Sequence, residues 1–365
     1  MKRSRRNKLL KWLHAAFWRR PATDFGPRRG PVIHVIILDG TMSSLEPGLE
    51  TNAGLTYRLC REMGAQLSIY YEPGIQWQDW RSAQDVFVGR GINRMIRRTY
   101  GYLASRYRPG DRIFLFGYSR GAYAVRSLAG MMDLVGLLRA EDATERNIRD
   151  VYRHYQGDPD SGSAQAFAAA HCLKDIPIEM IGVWDTVKSL GLNLPVLWRF
   201  STPKHDFHNH EISDNVRAGF QALALDETRT VYAPVLWTSS EDREGVLEQV
   251  WFPGTHGDVG GQIDGVESAR PLANIPLVWM LEKAEGCGLP LPPGWRQRFP
   301  MDPTAPSIGR YHGYGKFFLG RRPRVPGADP SERLHESVFA RRAVQPEQRG
   351  FVGLRRPVRD RAAGL

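Results

Sequence analysis

The sequence predicts an α/β fold, a mainly parallel sheet flanked by helices, and three observations carry that reading. Apolar runs of strand length alternate with stretches of helical periodicity from residue 31 onward. One run, Ile113-Phe114-Leu115-Phe116, ends in Gly117-Tyr118-Ser119-Arg120-Gly121 and continues into a small-residue helical stretch over 122–132. Turn-forming, glycine-bearing segments also follow the runs at 32–38 and 246–252. A β-α-β-α-β order implies parallel strands covered on both faces, with the functional end at the carboxyl termini of the strands.

Taken in order, residues 32–38 form a continuous apolar run that stops at Asp39-Gly40-Thr41. Residues 52–63 place Leu55, Leu59 and Met63 on one helical face, and a strand follows over 66–71. Residues 73–90 read as a Trp- and Gly-rich loop. Ile92, Met95, Ile96 and Leu103 then mark the helix that leads to the strand at 113–116. Residues 178–183 read as a strand running into Trp184-Asp185-Thr186, and 215–225 read as a helix. Residues 246–252 are a further strand, leading into a glycine-rich loop, residues 253–261, that carries His256.

The segment Gly117-Tyr118-Ser119-Arg120-Gly121 is a G-x-S-x-G turn between a strand and a helix, the arrangement of a nucleophile elbow. Glycine is required on both flanks because the serine occupies a cramped turn where larger side chains collide. Ser119 is therefore a candidate nucleophile for acyl transfer. Asp185 and His256 follow later strands, and the chain order Ser119, Asp185, His256 is the order that the elbow motif expects.

At 365 residues and 42% hydrophobic content the chain can bury a full core, which excludes disorder throughout. Cys60, Cys172 and Cys287 are odd in number and far apart, against a disulfide framework or a zinc site and in favour of a reducing compartment. The net charge of +11 is unevenly spread: residues 1–30 and 296–365 each carry +9, around an acidic middle. This asymmetry points to end segments that touch something anionic, such as a membrane surface or nucleic acid, rather than to a basic catalytic domain, and of these two nucleic acid is not the expected partner. Leu9, Leu10, Leu13, Ala16 and Phe17 share a face of a short basic helix with Trp12 and Trp18 at its margins, suited to a headgroup layer. A solvated terminus and a targeting peptide are the competing readings. The cluster His205-Asp206-Phe207-His208-Asn209-His210 matches no standard zinc pattern, and no nucleotide-binding loop is present, so neither metal nor cofactor is expected.

Five ordered motifs carry a resemblance. They are Leu38-Asp39-Gly40-Thr41, Phe116-Gly117-Tyr118-Ser119-Arg120-Gly121-Ala122-Tyr123, Gly182-Val183-Trp184-Asp185-Thr186-Val187, Ala222-Leu223-Ala224-Leu225-Asp226-Glu227, and Trp251-Phe252-Pro253-Gly254-Thr255-His256-Gly257-Asp258-Val259-Gly260-Gly261. Over about residues 31–290 this set resembles the α/β-hydrolase domain family that includes the catalytic domains of type VI secretion phospholipase effectors. The resemblance implies an α/β-hydrolase-like fold and a Ser119, Asp185, His256 triad. Two positions depart from the family pattern: Met42-Ser43 stands where Trp-Asn is common, and Gln221 where histidine is frequent.

The chemistry follows from what acyl transfer needs. Neutral His256 takes the proton of Ser119, and Asp185 holds the imidazole tautomer and stabilises the imidazolium. Asp258 is the alternative partner of His256, with bracing of its own loop as its competing role. The backbone N–H of Arg120, with one N–H from Gly40 or Thr41, is the expected oxyanion hole. The Arg120 side chain either steers anionic head groups or pairs with an acid near the elbow. Asp39 is expected to bind its loop's own amides.

The expected organisation is a basic N-terminal segment at 1–30, a catalytic domain at 31–290 and a Pro/Gly/Arg-rich extension at 291–365. The expected activity is a serine hydrolase acting on carboxylic esters, with lipid or phospholipid acyl esters preferred. The expected location is cytoplasmic with peripheral membrane association. A soluble small-ester hydrolase and a catalytically idle membrane-binding module on the same fold are the alternatives.

Overall fold

The computed structural model describes residues 29–74, 90–187, 211–240, 243–309 and 320–344. The basic N-terminal helix, most of the 73–90 loop, the histidine cluster at 205–210, the aromatic segment at 311–319 and most of the basic tail lie outside the described residues.

In chain order, β1 (Ile33–Leu38) is followed by α1 (Asn52–Glu62), β2 (Leu67–Glu72), α2 (Arg90–Arg106), β3 (Arg112–Tyr118) and α3 (Arg120–Leu134). A short antiparallel pair, β4 (Leu137–Leu138) and β5 (Cys172–Leu173), encloses α4 (Glu145–Gln156) and α5 (Gly162–His171). Next come β6 (Met180–Trp184), β7 (Ala218–Ala224), β8 (Val246–Phe252), α6 (His256–Gly260), α7 (Arg270–Gly286), β9 (Glu332–Leu334) and α8 (Glu336–Val344). Among the described residues no helix is long and apolar enough to cross a membrane.

Seven strands form one sheet in the order β2-β1-β3-β6-β7-β8-β9, and every neighbouring pair is parallel. The α/β class expected from the sequence, a mainly parallel sheet flanked by helices, is the class this sheet has. The strand order reverses between β1 and β3, so a crevice opens beyond their carboxyl ends. The register levels those ends: Leu38 lies opposite Gly117, Tyr118 opposite Trp184, Trp184 opposite Ala222 and Ala224 opposite Phe252.

Strands buried on both faces are apolar at most positions, which is why these segments read as nearly continuous runs. Val35 and Ile37 enter one core with Leu59 of α1 and Leu281 of α7. Ile36 and Leu38 enter the other with Leu103 of α2 and Leu128 of α3. The same burial explains one misread element: residues 215–225, expected as a helix, contain β7. All seven residues of β7 are buried, and ladders to β6 and β8 satisfy its backbone on both sides. Such a run offers no alternation to set it apart from a buried helix.

The stretch beyond residue 290, expected as an extension, adds β9 to the edge of the sheet. Gln249 donates its backbone N–H to Ser331 O (3.0 Å), and His335 donates to Trp251 O (2.9 Å). The buried Trp251 indole donates to Glu332 Oε2 at 2.7 Å. Glu332→Ala leaves that indole N–H buried without its acceptor, so we expect a loss of about 1–3 kcal/mol. Urea unfolding checks it as a lower midpoint at unchanged slope.

Candidate active site

The junction of β3 and α3 is built for close approach. A Cβ on Gly121 would lie 2.1 Å from the carbonyl oxygen of Leu38, and one on Gly117 would lie 2.6 Å from Cα of Ala122. Only glycine lets the first turn of α3 pass over the end of β1. Between them Ser119 is held at φ 57°, ψ −118°, a region that a non-glycine residue rarely occupies. Its backbone N–H continues the ladder to Trp184 O at 3.0 Å, which fixes the turn against β6.

From this turn Ser119 Oγ reaches His256 Nε2 at 2.9 Å, and His256 Nδ1 reaches Asp185 Oδ2 at 2.6 Å. The three residues predicted from the motifs are thus drawn into one hydrogen-bonded line from three strand ends. All three are buried. His256 opens α6 rather than sitting in an irregular loop, and its backbone N–H donates to Glu227 Oε2 at 3.2 Å. Its ring lies between those of Tyr118 and Tyr232, with centroids 5.0 and 4.5 Å away. Burial raises both phenols above their ordinary value, so both stay neutral. Glu227 is held by Arg229 through Nε (2.9 Å) and Nη2 (2.6 Å), and this pairing outweighs burial to keep its carboxyl below the usual range.

Asp185 also sits at positive φ, 42°, with its N–H on Ala222 O at 2.8 Å. Its Oδ1 accepts from Ala224 N at 3.1 Å and from Arg324 Nη1 at 2.6 Å, and its Oδ2 accepts from Arg324 Nη2 at 3.0 Å. Burial by itself would raise this carboxyl; Arg324 and His256 reverse the effect and hold it well below the usual carboxylate range. Arg324 also donates to Ala224 O at 2.8 Å and to Tyr232 O. Nothing in the stretch Arg321-Arg322-Pro323-Arg324 marks this residue in the sequence, because its partner lies 139 positions away.

Asp258 takes the bracing role. Its Oδ2 accepts from Thr255 N (2.7 Å), Thr255 Oγ1 (2.8 Å) and Ser307 Oγ (2.5 Å), and its Oδ1 accepts from Ile308 N at 2.9 Å. Gln221 belongs to a buried network beside the site: it accepts from Thr186 Oγ1 at 2.8 Å and donates to Val235 O at 3.1 Å. Ser43 accepts the Gly74 N–H at 3.1 Å, while Met42 is exposed at the rim. Arg120, half-buried, lies within electrostatic reach of Tyr232.

The loop after β1 separates the two expected oxyanion donors. Gly40 N–H is turned onto its neighbour Asp39, 2.6 Å from Oδ1, so Thr41 carries the remaining candidate N–H of that loop. Gln262 Nε2 donates to Thr41 O at 3.1 Å, and Tyr118 OH donates to Gln262 Oε1 at 3.4 Å. Asp39 is fully buried and accepts from Tyr71 OH (2.8 Å) and from Thr51 Oγ1 (2.7 Å), the hydroxyl that caps α1 by accepting from Gly54 N. Burial pushes the Asp39 carboxyl up to about 6 despite these donors. A folded-state value raised from 3.8 means that the native state holds this proton longer than the unfolded chain does. The associated stability is full below about pH 4 and is lost as pH rises through about 6, a change of about 3 kcal/mol. We expect the difference in unfolding free energy between wild type and Asp39→Asn to follow that course in urea titrations from pH 4 to 7. A flat difference would refute it.

Comparison with known proteins identifies the family of the chain. The family model for the T6SS phospholipase effector Tle1-like catalytic domain matches residues 33–283. Among curated proteins, the uncharacterized protein YEL023C of Saccharomyces cerevisiae is 27% identical over 233 residues, which is 56% of this chain and 34% of that protein. Among solved structures, an uncharacterized protein from Pseudomonas aeruginosa shares 16% identity over 74% of this chain and 49% of its own, with a TM-score of 0.40. The Tle1 effector bound to the VgrG spike from the type 6 secretion system shares 18% identity over 64% of this chain and 52% of its own, with a TM-score of 0.32. The chain thus spans about a third of the yeast relative and about half of each solved chain. With the family model covering well over half of its length, the chain belongs to the Tle1-like phospholipase effector catalytic-domain family.

Proposed function

We propose that the protein is a serine hydrolase that cleaves acyl esters of lipids or phospholipids through an acyl-enzyme intermediate. The observation that carries this reading is the line Ser119 Oγ, His256 Nε2 and Nδ1, Asp185 Oδ2, with separations of 2.9 and 2.6 Å, at a serine held on a strained elbow. A second support is the family, whose name is that of phospholipase effectors.

In the first half-reaction Ser119 Oγ bonds to the ester carbonyl carbon while its proton passes to His256 Nε2. Asp185 keeps the Nδ1 proton in place and offsets the imidazolium charge. The carbonyl oxygen, now an alkoxide, is received by the N–H of Arg120 and the N–H of Thr41, since Gly40 N–H is committed to Asp39. Collapse breaks the bond to the alcohol, which leaves with the proton from Nε2. Water, giving a proton to the same nitrogen, then bonds to the acyl carbon; the bond to Ser119 Oγ breaks, Oγ takes the proton back from Nε2, and the fatty acid is released. Each oxyanion donor is worth on the order of 3 kcal/mol of barrier.

Lipid preference rests on the family and on the basic ends, which carry +9 each and suit attachment to anionic membranes. We expect Ser119→Ala to lower fatty-acid release from phospholipid vesicles by at least a factor of about a thousand with an unchanged circular dichroism spectrum. Release from short soluble esters alone would keep the mechanism and remove the lipid assignment. Equal rates for wild type and variant would remove the mechanism.

A further inference from the structure

Arg324 lies beyond the part of the chain that the family model covers, yet it makes the most demanding contact in the site. Its planar fork spans both oxygens of Asp185 at 2.6 and 3.0 Å, and both partners are buried. With Ala224 N on Oδ1 and His256 Nδ1 on Oδ2, the carboxylate is held at both oxygens from three sides. The fork is itself placed by Ala224 O and Tyr232 O. The backbone just before it is strapped to the loop after β7, with Arg322 N on Thr228 O (2.7 Å) and Thr230 N on Gly320 O (3.0 Å). That loop also carries Glu227 and Tyr232, which touch His256 from two further directions.

We propose that Arg324 is a positioning residue for the hydrolase reaction, locking the rotamer of Asp185 and supplying a permanent counter-charge to that carboxylate, so that His256 is not its only cationic partner. The proposal rests on the hydrolase reading above. A carboxylate buried beside an imidazole, with no other cation in contact, is satisfied best when the imidazole is protonated, and a protonated His256 cannot take the proton of Ser119. Arg324 offsets the charge of Asp185 independently of His256. Lysine would restore the charge but not the two-pronged geometry.

The other charged and titratable groups facing His256 do not substitute for it. Glu227 is paired with Arg229, Asp258 with Thr255 and Ile308, and the phenols of Tyr118 and Tyr232 stay neutral across the acid range. Burial pushes Asp39, on the loop after β1, up to about 6, but wild type and both Arg324 variants share it, so a difference between their profiles isolates Arg324.

The test uses the full chain with Arg324→Gln and Arg324→Lys. One readout is the low-field proton NMR signal of His256 Nδ1–H, assigned by its loss in His256→Gln and titrated with pH without substrate. The other is the pH profile of kcat/KM on a phospholipid. Arg324→Gln is expected to move the NMR midpoint and the acid limb of the profile upward together, by about one pH unit. Arg324→Lys is expected to leave both where wild type has them while lowering kcat about tenfold or more, the mark of lost orientation. An unmoved NMR midpoint in folded Arg324→Gln overturns the proposal while leaving the hydrolase reading intact. If that variant does not fold, wild-type kcat in Arg324→Lys overturns it instead. A shifted midpoint in protein that cleaves no ester upholds the role of Arg324 towards His256 and overturns the hydrolase reading.

Discussion

A single buried negative charge organises the functional end of this molecule. Asp185 is fully excluded from water, and a carboxylate in that position is tolerated only when its oxygens are met by donors and its charge by a cation. The donors come from separate parts of the chain: the backbone of Ala224 at the end of β7, the imidazole of His256 at the start of α6, and the guanidinium of Arg324 from the C-terminal stretch. Satisfying one charge therefore brings three segments to one point. The same contacts order the loop between β7 and β8, because Arg324 also binds the carbonyls of Ala224 and Tyr232.

The second constraint is steric and lies at the elbow. α3 begins so close to the end of β1 that a methyl group on Gly121 would overlap the Leu38 carbonyl. This proximity sets Ser119 beside the loop of Gly40 and Thr41, where the strand order reverses and the crevice opens. The strained backbone of Ser119 persists because β6 holds its N–H and the two glycines let α3 pack close over the end of β1. Asp39 anchors the facing loop by binding Thr51 and Tyr71, which ties the crevice wall to the start of α1 and to β2.

Around these two constraints the polar residues divide into those that face the crevice and those that support it. Gln221, Thr186 and Arg126 form a buried network under the sheet end, and Arg126 also lies 4.4 Å from the ring of Trp237. Asp258 closes the turn of α6 and receives the chain at residues 307–308. Such supports fix the positions of Ser119, His256 and Asp185 around the crevice.

The sequence by itself determined the sheet's main strands and the order of the site. Apolar runs at β1, β3, β6 and β8 are legible because a strand covered on both faces is mostly apolar, its polar exceptions such as His34 and Gln249 being hydrogen-bonded, and the elbow is legible because its geometry demands two glycines around one serine. Ser119, Asp185 and His256 could be named because each stands in a motif at a strand end. Only the tertiary structure decided that 218–224 is a strand, since its backbone is satisfied by neighbours distant in sequence. It also decided that Asp39 takes the Gly40 N–H, leaving Thr41 as the candidate donor, and that His256 pairs with Asp185 while Asp258 braces its loop. Arg324 was illegible for the same physical reason: a charge in an arginine-rich stretch acquires a role only when folding buries it against a carboxylate far along the chain.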